Sequence, residues 1–142
     1  MQEIVELGIK FASKSQKTSD FYRLLPLDFT LPKFSILYCQ RQLESVCEDA
    51  LFQELEWRGL QVKSQIYVPI KYKTVVLRKP LRLDLLVEDR IIVEVKATEI
   101  NHSVYTAQVL TYLRLTNLKL GLVVNFGQER LIDGLDRVVN GL

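Results

Sequence analysis

Two apolar runs, LRLDLLVE at 81–88 and IIVEVKAT at 91–98, follow one another with only a tight turn around Asp89 and Arg90 between them. Runs this rich in Leu, Ile and Val, broken by a turn, read as two neighbouring strands. Strands that are apolar on both of their faces sit in the middle of a sheet with a layer packed on each side. Yet Arg82 and Asp84 interrupt the first run, and Glu94 and Lys96 the second. Charges inside central strands demand partners, because burying an unpaired charge is costly.

The flanking segments supply candidate covering layers. Residues 42–58 fit a helix that stops at Gly59, with Leu43, Val46, Cys47, Ala50, Leu51 and Trp57 on one broad apolar arc. Residues 61–70 alternate as a strand, 74–78 form another extended piece, and SVYTAQVLTYLRLTN is helical with Ser103 as a possible cap. LKLGLVVNF reads as an apolar strand, and RLIDGLDRVVN as a short final strand or helix. The order predicts a mixed α/β domain over 42–142, a meander joined by one crossover helix.

Residues 1–41 differ. A weak amphipathic pattern (Ile4, Leu7, Phe11) precedes a polar stretch, then FYRLLPLDFTLPKF, where Pro26 and Pro32 argue against a continuous helix. Its large apolar side chains, Phe21, Leu24, Phe29, Phe34 and Leu37, are expected to pack on the core, with a homodimer through this segment as the alternative.

A length of 142 residues with 48% hydrophobic and 25% charged residues suits one globular domain. A net charge of +2 excludes a histone-like binder and an acidic tail, though not a local basic patch. No signal-peptide core or membrane-length apolar run is visible, which predicts a cytoplasmic protein without a membrane partner. The two cysteines, Cys39 and Cys47, are expected to be reduced and partly buried; with the single His102 they are poor material for a zinc site.

Strand periodicity puts Glu94 and Lys96 on one face of their strand. It puts Arg82, Asp84 and Leu86 on one face of theirs, opposite Leu83, Leu85 and Val87. A three-residue loop of Glu88, Asp89 and Arg90 then sets Asp84 opposite Glu94. Two carboxylates so placed repel, and a bound Mg²⁺ or Mn²⁺ is one remedy. Lys96 beside them would act on an attacking water or stabilise developing charge. A solvated face with cross-strand ion pairs is the plainer reading of the same spacing. Glu44 falls within the apolar arc of the first helix, where it either reaches toward a cation on the sheet or serves the helix dipole.

The segments LESVCEDAL, GLQV, LRLDLLVEDRIIVEVKA and AQVLTYLRLTNLKLGLVVNF together resemble the GxxExxY proteins of the PD-(D/E)XK nuclease-like superfamily, over about residues 42–140. The resemblance implies a mixed sheet flanked by helices, with an active site where two central strands diverge. It places Asp84 at the motif aspartate, Glu94 and Lys96 at the E-x-K pair, Glu44 at the naming acid and Gln108 at the glutamine of the following helix. Tyr112 lies one turn beyond. It departs at Arg41 and Cys47, where the naming glycine and tyrosine would stand, and at Tyr105 in place of a histidine.

The implied activity is Mg²⁺- or Mn²⁺-dependent phosphodiester hydrolysis. Asp84, Glu94, Glu44 and the Val95 carbonyl are the implied metal ligands, and Lys96 acts on the nucleophile. Gln108 would orient a phosphate or the water, or simply tie its helix to the sheet. An inactive nuclease-like domain that binds nucleic acid or protein is the alternative, and a structural subunit docked through its N-terminal segment is a third. Arg41, Lys71, Arg82, Arg114 and Lys119 either line a phosphate-bearing groove or are scattered surface cations. With no zinc finger or helix-turn-helix visible, nucleic-acid contact would be backbone-led, low in sequence specificity and salt-sensitive.

Overall fold

The structure, a computed structural model, describes residues 44–128 and 131–141. The expectations for the first forty-one residues, including Arg41 and the N-terminal packing or dimer, lie outside them. Helix α1 spans Glu44–Trp57 and is followed by strands β1 (Val62–Val68), β2 (Lys71–Tyr72), β3 (Val75–Val76), β4 (Leu81–Val87) and β5 (Ile91–Lys96). Helix α2 (Ser103–Thr116), strand β6 (Leu120–Asn125), a short 3-10 turn (Leu131–Gly134) and strand β7 (Leu135–Val139) complete it.

Five strands form one mixed sheet in the order β1-β4-β5-β6-β7, and β2 and β3 form a separate hairpin. Only β5 and β6 are parallel, joined by the α2 crossover; the other neighbours are antiparallel. The expected α/β architecture is thus present, with β4 and β5 central. Cys47, Leu51 and Leu55 of α1 pack on one face against Leu85, Val87, Val93 and Val95. Val109, Tyr112 and Leu113 of α2 pack on the other against Leu83, Ile92 and Val123.

Helix α1 ends as its glycine predicts. Gly59 has φ 79°, its N–H donates to Glu56 O, and Leu60 N–H donates to Leu55 O, the paired bonds of a Schellman stop. The expected arc is rotated, however. Cys47, Glu48, Leu51 and Leu55 are buried, whereas Val46 is exposed and Trp57 is 78% exposed. The cap of α2 is His102 rather than Ser103: its Nδ1 accepts from Val104 N–H at 3.2 Å. Cys47 is 1% exposed and disulfide-bonded, so the expectation of a reduced thiol fails there. Cys39 lies outside the described residues.

Candidate active site at the divergence of two central strands

The β4–β5 register is the one that a three-residue loop dictates: Val87 pairs with Ile91, Leu86 with Ile92 and Leu85 with Val93. The next pair in that series is Asp84 with Glu94, and the ladder stops short of it. The reason lies in β4 itself. Leu85 and Val87 pack on the α1 side, but Leu81 and Leu83 pack on the α2 side. A regular strand keeps alternate residues on one face, so the chain turns over between Leu83 and Leu85. Strand β1 does the same, with Val62 on the α1 side and Ile66 and Val68 on the α2 side. Gln65 and Asp84, the residues at the crossover, are the one pair missing from an otherwise continuous β1–β4 ladder. The expectation that Leu83 shares a face with Leu85 and Val87 is therefore corrected.

Gln65 carries the distortion, with φ 53°, a left-handed conformation that a residue with a Cβ adopts at a cost of about 1 kcal/mol. Its side-chain amide donates to Glu48 Oε1 on α1, tying the crossover to the helix. Asp84, 8% exposed, uses Oδ2 to accept the Val95 N–H at 2.9 Å. A carboxylate thus takes the place of a ladder carbonyl, which holds β5 beside β4 while the two backbones part.

Glu94 is 3% exposed on β5. Its Oε1 accepts from Lys96 Nζ at 2.8 Å and from Gln108 Nε2 at 3.0 Å, and the same Gln108 amide donates to Tyr112 Oη at 2.5 Å. Gln108 therefore ties α2 to the Glu94 carboxylate rather than to a sheet carbonyl. Glu94 Oε2 is buried and has no hydrogen-bond partner among the described residues. Burial first, and the nearby Asp84 charge second, push the Glu94 carboxyl up to about 7 against the pull of Lys96. Lys96, whose ammonium also lies 5.2 Å from the centroid of the Tyr105 ring, is pushed above its ordinary value: burial is the largest single influence and lowers it, but the bond to Glu94 and the charges of Glu94, Glu44 and Asp84 together outweigh that. Burial likewise raises Glu48 and the Tyr112 phenol.

Glu44 stands at the first position of α1 and is exposed, yet its charge is felt at both Glu94 and Lys96. Asp84, Glu94, Lys96 and Gln108 are thus brought together, with Glu44 at the rim. Arg114 and Lys119 are not: they sit near the start of β6, the end of the sheet away from Lys96, which pairs with Asn125 at the other end.

Sequence reasoning missed Glu48 and Asn125. Glu48 lies one turn beyond Glu44 on the buried stripe of α1, a spacing that was open to view. Asn125 is the lone polar residue closing an apolar strand and is fully buried. Its Oδ1 accepts from Thr98 N–H and Gly127 N–H, both at 3.0 Å, and its amide donates to Asn101 Oδ1 at 2.7 Å. Beyond it opens a recess of about 450 Å³ lined by Thr98, Ile100, His102, Tyr105 and Gly127, at the carboxyl ends of the parallel strands where open α/β sheets bind ligands.

Central strands that part at an Asp, followed by a Glu-x-Lys on the next strand, are the arrangement the sequence resemblance implies, and a family comparison supports the superfamily. The model of the PD-(D/E)XK nuclease superfamily matches residues 39–138. The chain belongs to the PD-(D/E)XK nuclease superfamily. Curated proteins and solved structures return no match.

Superfamily nucleases generally use divalent metal ions. Among the described residues no group of three His, Cys, Asp or Glu side chains is placed to hold one. The donor set that remains is a pair, Asp84 and Glu94, with the buried Glu94 Oε2 unpartnered. That suits Mg²⁺, which keeps several waters and takes one or two carboxylates plus substrate phosphate.

Proposed function

We propose that this superfamily member is an Mg²⁺- or Mn²⁺-dependent nuclease hydrolysing phosphodiester bonds in nucleic acid, of the GxxExxY subgroup and acting in the cytoplasm. The observation that carries the reading is the unpartnered, buried Glu94 Oε2 beside Asp84 at the strand divergence. Asp84 and Glu94 would hold the ion, with the Val95 carbonyl and Glu44 completing its protein contacts. Bound there, it would supply a Lewis acid for the phosphoryl oxygen and an acidified water.

The chain's own groups divide the remaining work. Lys96, already donating to Glu94, is a cation and has no lone pair to accept a proton, so it stabilises charge developing on the phosphate rather than serving as base. Gln108 is a positioning residue that fixes the Glu94 carboxylate through Oε1, leaving Oε2 free to face the ion. The Asp84–Val95 bond keeps the β5 backbone at the height at which Glu94 and Lys96 meet the crevice.

Cleavage of labelled single-stranded and duplex DNA and RNA, with Mg²⁺, Mn²⁺ or EDTA, tests this. Activity in metal and none in EDTA is expected. Lys96→Ala should keep Mn²⁺ binding and slow cleavage about 10²–10³-fold, while Asp84→Ala should weaken Mn²⁺ binding itself. One observation favours the alternative of a non-catalytic nucleic-acid- or protein-binding domain: among the described residues two carboxylates converge and no third, and Lys96 and Gln108 both occupy one of them. Salt-dependent association without cleavage in any metal would establish it.

A further inference from the structure

Between Ser64 and Leu83 the chain carries five cations, Lys71, Lys73, Arg78, Lys79 and Arg82, and no Asp or Glu. That is a local excess well above the +2 of the whole protein. Among the described residues none of the five is paired with a carboxylate in a salt bridge. Every residue from 71 to 80 is exposed, in the β2–β3 hairpin and the turn that follows. Uncompensated like charges held on a short hairpin repel one another, and an anionic partner relieves that repulsion.

The same segment exposes aromatic faces. Tyr67 and Tyr72 are 64% and 63% exposed, and Lys73 Nζ lies 5.5 Å from the centroid of the Tyr72 ring. Cations interleaved with open aromatic faces make a surface for a single strand: the cations follow phosphates and the rings stack on bases. A duplex hides the faces of its bases, so it has no use for the tyrosines.

Position joins this hairpin to the crevice. It leaves the sheet where Val68 pairs with Leu81, and Leu81 is three residues before Asp84, about 10 Å along a strand. Because β4 and β5 are antiparallel, this is also the end of the sheet at which Lys96 lies. Arg82, two residues before Asp84 on β4, continues the basic run from the hairpin toward the crevice.

We propose that the β2–β3 hairpin is a binding arm for single-stranded nucleic acid, with Lys71, Lys73, Arg78 and Lys79 on the phosphates and Tyr72 stacked on a base next to the scissile bond. This deepens the nuclease reading, and rests on it for the word scissile; the binding itself does not need catalysis. The test therefore uses the full-length protein in EDTA, so that a failure to cleave and a failure of the arm are separate results. Fluorescence anisotropy with a mixed-sequence DNA oligonucleotide, single-stranded and as duplex, is followed across a range of NaCl concentrations.

Lys71→Ser/Lys73→Ser should reduce the slope of log K against log salt by about 1.4, about 0.7 for each phosphate of a single strand that is no longer neutralised. Tyr72→Ala should weaken single-strand binding roughly five- to hundredfold without changing that slope, and Tyr72→Phe should restore it. Unchanged melting temperatures, expected for exposed side chains, show that the variants are folded. Affinity and slope that are the same in folded variants and wild type would overturn the proposal. So would an equal Tyr72 dependence for duplex, or a wild type that binds phosphatidylserine vesicles and not the oligonucleotide.

Discussion

At Glu94 burial and the neighbouring Asp84 act in the same direction, raising the carboxyl from 4.5 to about 7. In the native protein Glu94 therefore holds a proton that the unfolded chain gives up near its ordinary value. The sign follows from linkage: the contribution to stability is complete below about pH 4.5 and is lost as pH rises through 7, a loss of about 3 kcal/mol. A divalent ion competes for the same oxygens, so Mn²⁺ affinity should rise up to about tenfold per pH unit below 7 and level off above it. Titration calorimetry between pH 5.5 and 8 reads this directly, and an affinity flat across the range would remove Glu94 from the metal's ligands.

Among elements, the junction of β5 and β6 with the loops that follow them rests on one side chain. Asn125 satisfies the N–H groups of Thr98 and Gly127, and Gly127 is packed so tightly that a Cβ there would meet the Thr98 carbonyl oxygen at 2.1 Å. Asn125→Ala leaves a buried and a partly buried donor without acceptors, at about 1–3 kcal/mol each. Chemical denaturation should show a midpoint drop corresponding to about 3 kcal/mol. A variant as stable as wild type would show that the loops are held by other means. The crossover at Gln65 and Asp84 is the counterpart on the other side of the crevice, where a strained backbone is fixed by a side-chain bond to α1.

For the whole molecule, the sheet carries its chemistry at one end. The carboxyl ends of β5 and β6, the start of β4, the hairpin and the recess all lie there, while Arg114 and Lys119 are at the other. A cation bound only by the native state stabilises all of it at once. Mn²⁺ at a hundred times its Kd should add about 2.7 kcal/mol, visible as a rise in melting temperature. With the Mn²⁺ concentration held fixed, the rise should be larger at pH 8 than at pH 6, where Glu94 is protonated, and absent in Asp84→Ala. A rise that persists unchanged in that variant would place the ion elsewhere.

Much of this was legible in the residues alone, because it is local. The two central strands, the three-residue loop between them and their register follow from period-2 alternation and chain length, and Gly59 marks the helix stop by its own conformational freedom. The convergence of Asp84 on Glu94 was within reach for the same reason. Tertiary contacts decided the rest. The phase of α1 differs from that of the helical wheel: Val46 and Trp57 extend the apolar arc but are left exposed, while Glu48 is drawn inward by Gln65. The reversal of faces at Gln65 and Asp84 has no signature in composition: a glutamine takes a left-handed conformation that a glycine would have announced. The α2 layer claims Leu81 and Leu83 while the α1 layer claims Leu85 and Val87 of the same strand, so β4 has to turn over at Asp84, and that turn is what opens the site.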